Sequence, residues 1–184
     1  MIKIAIQLAE GFEEIEAVSI IDVLRRAEFE VTLVSITDKL EITGSHNIKI
    51  IADQLFENVN YKLIDMIVLP GGMPGAINLN KHSELRKQIL NFNKEGKQLG
   101  AICAAPLVFG NLGILKNKNV TCYPGFENEL KGANTTNKIV EVSGRIITGK
   151  GAGVAIEFAL KIVEIFKGKK LAVELAEKLI FKYG

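Results

Sequence analysis

The sequence has no tryptophan, four prolines, two cysteines and two histidines in 184 residues, and each scarcity excludes something. Cys103 and Cys122 form no CxxC pair, which leaves neither a disulfide framework nor a zinc site to build. His46 and His82 share no ligand spacing with either cysteine, so no metal is expected. An excess of one charge is also missing, because 23 Lys and Arg stand against 21 Asp and Glu, a formal net charge of +2. Nucleic-acid binders carry a clustered basic stripe that displaces phosphate counterions, and none is visible. Lys167, Lys169 and Lys170 read as a solvated helix boundary. No apolar run is long enough to span a bilayer, and the opening strand reaches Glu10 too soon for a signal-peptide core. The expectation is a cytoplasmic protein with no membrane partner and no specific nucleic-acid partner.

What is present is apolar residue in quantity, 48% of the chain, enough for one domain over residues 1–184 with a sizeable core. Short runs rich in Ile and Val alternate with segments of helical period. Strands are expected at 2–8, 31–36, 64–69 and 99–102, a hairpin at 41–43 and 48–51, and two further strands at 139–142 and 146–148. Helices are expected at 13–27, 83–94, 154–166 and 171–181, with Ser83 or Asn80 capping the second. This alternation predicts an α/β fold with a mostly parallel sheet covered on both faces. Ligands in such folds bind beyond the carboxyl ends of the strands. That rule points to the loops 9–12, 70–75, 103–106 and 149–153, all built from small residues.

One of those loops holds a cysteine. In Gly100-Ala101-Ile102-Cys103-Ala104-Ala105-Pro106 the small residues two positions before and after Cys103 suit a sharp strand-to-helix elbow. Pro106 suits a first helical turn, where its missing N–H costs nothing. A thiol there would face the positive end of a helix dipole, which predicts a lowered pKa and a nucleophilic thiolate. The plainer reading is a buried small hydrophobe, which is also the better reading of Cys122, set among strand-like neighbours. Leu69-Pro70-Gly71-Gly72 ends a strand with two glycines whose N–H groups suit an anion nest. In the first helix, Glu13 and Glu14 need no role beyond the dipole. Glu16 shares a face with Ile20, Val23 and Ala27, so its carboxyl is expected to be buried. Beside a thiolate it would stay protonated and donate a hydrogen bond. Gly149-Lys150-Gly151-Ala152-Gly153 lacks the spacing and position of a dinucleotide loop and reads as close backbone packing.

Taken together, five motifs resemble the ThiJ/PfpI superfamily, in particular its DJ-one branch. They are Ala9-Glu10-Gly11-Phe12-Glu13-Glu14-Ile15-Glu16, Asp22-Val23-Leu24-Arg25-Arg26-Ala27, Leu69-Pro70-Gly71-Gly72, Ala101-Ile102-Cys103-Ala104-Ala105-Pro106 and Glu157-Phe158-Ala159-Leu160. The resemblance runs nearly end to end, including a last helix that the PfpI proteases lack. It implies a flavodoxin-like three-layer sandwich of the class I glutamine amidotransferase-like kind, forming a homodimer partly through the first helix. It also implies that Cys103 is the oxidisable nucleophile, that Glu16 is the carboxylic acid bonded to it, and that no cofactor takes part. Gly71, Gly72 and the Ala104 N–H would hold an oxyanion or an oxidised sulfur, and Glu13 and Tyr123 would border the substrate.

The activity implied is a glutathione-independent glyoxalase or deglycase, acting on methylglyoxal or on early glyoxal adducts of proteins and nucleotides. The alternative implied is a redox sensor or chaperone that reads Cys103 oxidation. Two positions depart from the pattern. Tyr123 stands where many relatives place a histidine, and a phenol is a poor base near neutral pH, so a peptidase or amidase triad lacks its base. His46 stands where relatives often have a hairpin arginine.

Overall fold

A computed structural model describes residues 1–183. Seven strands form the main sheet: β1 (Lys3–Leu8), β2 (Glu30–Ser35), β5 (Gln54–Leu55), β6 (Met66–Leu69), β7 (Gln98–Ile102), β10 (Val140–Ser143) and β11 (Ile146–Gly149). Their order is β10-β11-β7-β6-β1-β2-β5, and every pairing is parallel except β10 with β11. The central strands read as continuous apolar runs because both faces are covered: Met66, Ile67, Val68 and Leu69 are all buried. A hairpin of β3 (Glu41–Thr43) and β4 (Lys49–Ile51) stands apart from the sheet. So does a small parallel ladder of β8 (Asn119–Val120) and β9 (Asn134–Thr135).

Helices cover the two faces in separate groups. On one side lie α1 (Glu14–Arg26), α5 (Ala155–Lys167) and α6 (Lys169–Lys178). Helix α1 presents Ala17, Ile20, Val23 and Leu24 to the core, and α5 presents Phe158, Ala159, Ile162 and Val163. These positions recur at the three- and four-residue spacing of a helix face. On the other side lie α2 (Gly75–Lys81), α3 (Ser83–Glu95) and α4 (Pro106–Asn111), over a core that includes Leu79, Ile89, Phe92 and Phe109. The result is the expected α/β sandwich of three layers.

Three local expectations need correction. Helix α3 is capped by His82, whose Nδ1 accepts the Leu85 N–H at 3.0 Å, in place of Ser83 or Asn80. Helix α2 arises where the sequence suggests only a loop. It is a seven-residue helix directly after the Pro70–Gly75 turn, too short for its period to show. The last helix starts and ends earlier than expected, at Lys169 and Lys178.

Strand β1 lies between β2, reached by one crossover, and β6, reached by the return of the chain to the other side. The sheet therefore reverses its winding at β1 and β6, and a ligand site is expected beyond their carboxyl ends. The loops after β1, β6, β7 and β11 meet there.

Candidate active site

Cys103 follows the last residue of β7 and adopts φ 62°, a left-handed conformation that costs a non-glycine residue on the order of 1–3 kcal/mol. Backbone bonds on both sides hold it there. Its N–H donates to Gly149 O at 2.9 Å, and its carbonyl accepts the Tyr123 N–H at 2.8 Å. The turn leads within three residues into α4, with Pro106 at the first helical position. This is the elbow read from the sequence, and buried Ala101, Ala104 and Ala105 surround it.

Glu16 comes to the elbow from the first turn of α1 and is fully buried. Its Oε2 accepts the Gly71 N–H at 2.7 Å. Its Oε1 is buried without a hydrogen-bond partner, close enough to the Cys103 thiol for each group to shift the other's titration. Gly71 lies between the two side chains: a Cβ placed on it would stand 2.6 Å from Cys103 Cβ and 2.8 Å from Glu16 Oε2. Only a glycine leaves room for the carboxyl and the thiol to meet. Gly72, at φ 92°, and Ala104 place backbone N–H groups near enough to the thiol to favour its ionised form.

The electrostatics follow from burial. Desolvation pushes Glu16 up to about 7, against the bonds from Cys103 and the Gly71 N–H. Desolvation also pushes Cys103 up, the neighbouring Glu16 carboxylate pushes it further, to about 12, and the N–H groups of Ala104 and Gly72 pull it back. This corrects the expectation of a thiol lowered by a helix dipole. Helix α4 has six residues, and its field does not offset burial beside a carboxylate. The two groups titrate as one pair, both pushed up by burial and the thiol further by the neighbouring carboxylate. A proton placed on Glu16 would remove that repulsion and leave a thiolate facing the carboxyl and the Gly72 and Ala104 N–H groups.

The remaining expected residues are placed as follows. Gly71 spends its N–H on Glu16, so only Gly72 and Ala104 present donors to the sulfur. Glu13 caps α1, its Oε2 accepting the Glu16 N–H at 2.7 Å, and its own N–H donates to Gly71 O at 3.0 Å. It fixes the loop that carries the site and does not meet Cys103. The Tyr123 ring is half exposed, edge-on to Phe126, and borders the elbow through its backbone bond. His82 lies against the Phe56 ring as the α3 cap, and His46 bonds Glu14 at 2.8 Å. No histidine acts on Cys103.

Glu14 is the residue that sequence reasoning undervalued. It is buried, and it anchors the β3–β4 hairpin by accepting the His46 N–H at 2.6 Å, the Ser45 hydroxyl at 3.2 Å and the Ile48 N–H at 3.4 Å. Burial acts to raise its pKa, and hydrogen bonds led by the His46 ring outweigh it and hold it at about 2. Glu13, Glu14 and His46 bring potential ligand atoms within 4.8 Å of one another, yet Glu14 is already satisfied by the hairpin.

A parallel α/β sandwich with a left-handed cysteine elbow against a buried carboxyl defines a class of protein built around one thiol. The chain belongs to the DJ-1/PfpI family, whose match covers residues 2–165. It is 38% identical over 182 residues to Protein DJ-1 homolog B of Arabidopsis thaliana, covering 98% of this chain and 42% of that one. It thus spans less than half the length of that relative. It is 33% identical over 172 residues to the glutathione-independent glyoxalase DJR-1.2 of Caenorhabditis elegans, covering 92% of this chain and 91% of that one. Among solved structures, oxidized Toxoplasma gondii DJ-1 superposes with a TM-score of 0.95 at 36% identity over the whole of both chains.

Proposed function

We propose that this protein is a cofactor-free, cysteine-dependent glyoxalase acting on methylglyoxal and other small α-oxoaldehydes, and on the early glyoxal adducts of proteins and nucleotides. The observation that carries the reading is the buried Glu16 carboxyl, anchored by Gly71 and aimed at Cys103. A carboxyl near neutral pKa serves in turn as acid and base, and a nucleophile with no such relay needs no such neighbour. The named activity of the C. elegans relative supports the same reading.

In the proposed reaction the Cys103 thiolate attacks the aldehyde carbon while Glu16 protonates the aldehyde oxygen, giving a hemithioacetal. Glu16, now ionised, removes the proton from that carbon, the electron pair moves toward the ketone to form an enediolate, and the hydroxyl proton passes to the former ketone oxygen. Glu16 then returns the proton to the former ketone carbon, which leaves a hydroxyacyl thioester. Water cleaves the thioester, releasing the hydroxy acid and restoring the thiol–carboxyl pair with its single proton. The Gly72 and Ala104 N–H groups stand at the sulfur, where they favour the anionic states.

The test is methylglyoxal loss and lactate appearance for wild type, Cys103→Ser and Glu16→Gln. Cys103→Ser is expected to abolish turnover and Glu16→Gln nearly to do so, and full activity in either variant removes that residue from the mechanism.

A second reading has its own support. The same N–H groups suit the oxygens of a sulfinate, and the Toxoplasma relative was solved oxidized. A redox sensor or chaperone would show rapid Cys103 oxidation by mild peroxide, read by mass spectrometry, with no turnover. A peptidase or amidase is not supported, because no histidine reaches the thiol.

The whole chain is proposed to act as one domain in the cytoplasm. Among the described residues no helix is long and apolar enough to cross a membrane. We also propose a homodimer: α1 leaves Ile15 59% and Val18 50% exposed, an apolar face that a second copy would cover. A monomeric mass by light scattering overturns it.

A further inference from the structure

Next to the Cys103 elbow lies an open cleft of about 310 Å³ formed by Tyr123, Pro124 and residues 150–154. Its surface is mostly apolar. Two backbone bonds tie it to the nucleophile. Gly149, which accepts the Cys103 N–H, leads directly into one wall, and Tyr123, which donates to the Cys103 carbonyl, forms the other. The Tyr123 ring lies against bare backbone, since a Cβ on Gly151 would stand 3.3 Å from its Cδ2. A Cβ on Gly153 would meet nothing within 4 Å. Gly151 must therefore stay small against the ring, whereas Gly153 lines the cleft at a position where the fold itself does not require a small residue.

A methyl group leaves a cleft of this size nearly empty. A phenyl ring fills it better and meets an aromatic face, and aromatic pairs gain beyond their area alone. We propose that this cleft receives the carbon substituent of the α-oxoaldehyde and selects large apolar groups, aromatic ones above all, over methyl. Tyr123 is the specificity-determining wall and Gly153 the floor that gives the substituent room. The proposal rests on the Cys103 reading for its chemistry, but its binding claim is separable from turnover.

Two measurements test it on the intact protein. The first is the affinity for mandelate against lactate, the hydroxy acids expected from phenylglyoxal and methylglyoxal, by calorimetry. Wild type is expected to favour mandelate by about 10-fold, in the range for extra apolar carbons in a fitted pocket. Gly153→Leu, which fills the cleft at a position with no left-handed backbone, is expected to reduce that preference to about 2-fold or less. Tyr123→Ala is expected to act in the same direction. Equal affinities in wild type, no mandelate binding, or a preference that survives Gly153→Leu in a folded protein overturns the cleft.

The second measurement is the ratio of kcat/KM for phenylglyoxal to that for methylglyoxal. The ratio is expected to fall about 10-fold in Gly153→Leu. Cys103-dependent methylglyoxal turnover with no selectivity in either measurement sinks the cleft and leaves the glyoxalase reading standing. Mandelate selectivity without turnover does the reverse.

Discussion

Glu14 and Glu16 sit two residues apart in the first turn of one helix, both buried, and they are driven in opposite directions, to about 2 and about 7. Burial acts on both to raise the pKa, more deeply at Glu16. The supply of donors widens the difference. Glu14 points to the hairpin turn and receives two backbone N–H groups, a hydroxyl and an imidazole. Glu16 points to the elbow and receives one backbone N–H, its other oxygen left without a partner beside the thiol. A carboxylate with its oxygens filled by donors is a structural anchor. One left short of donors in a dry site keeps a proton that it can transfer.

The largest effect should come from removing the underserved carboxyl. Glu16→Gln keeps an oxygen for the Gly71 N–H and loses the proton relay, so kcat/KM for methylglyoxal should fall by about 10²-fold or more. Wild-type activity should rise with pH through about 7, as the pair loses the first of its two protons. Whatever activity remains in Glu16→Gln should lack that rise. A variant that keeps it would locate the titration elsewhere.

The same substitution should act on stability with the opposite sign. The Glu16 carboxyl is raised above its ordinary 4.5 in the folded protein, so the native state holds a proton that the unfolded chain has released. Stability from this group is fully present below pH 4.5 and declines as pH rises to about 7. At about 1.4 kcal/mol per pH unit, the loss is at most about 3.5 kcal/mol. Glu16→Gln should therefore be more resistant to denaturant than wild type at pH 8 and match it at pH 4. A variant weaker than wild type at pH 8 would mean that packing, not charge burial, governs the site.

Glu14 should behave as the mirror image. Its carboxyl is lowered in the folded protein, so its contribution is present above pH 4.5 and lost as pH falls toward about 2. Glu14→Ala strands the His46 and Ile48 N–H groups and should cost about 2 kcal/mol at pH 7. Denaturant midpoints at pH 7 and pH 3 check both size and trend, and an equal loss at the two values removes the charge from the account.

This pair also shows what the sequence carries and what it does not. Glu16 was legible because its helical spacing places it with Ile20 and Val23 on the buried face, a relation contained within about two turns of helix. Glu14 was not, because its partners lie 31 to 34 residues away in a hairpin whose docking no local pattern encodes. The elbow was legible from Ala101, Ala105 and Pro106, since the backbone's need for small neighbours is local. The direction of the Cys103 shift was not, because it depends on how deeply Glu16 and the sheet enclose the sulfur. His82 as a helix cap escaped for a simpler reason: caps are sought among oxygen-bearing side chains, and here an imidazole nitrogen accepts.

The smallest effect sharpens the contrast from the donor side. The exposed His46 ring supplies one of the Glu14 bonds, and that bond raises its own pKa above 6.5. A group raised on folding contributes its full stability below pH 6.5 and loses it as pH rises through the folded value. His46→Asn keeps the backbone N–H to Glu14 and removes only the ring, so its melting temperature should fall less than that of Glu14→Ala. The deficit should be larger at pH 6 than at pH 9, and it should shrink in high salt because the ring is open to solvent. A deficit independent of both would show that the ring packs against the hairpin and does not act as a charge, leaving backbone donors to account for the low Glu14 pKa.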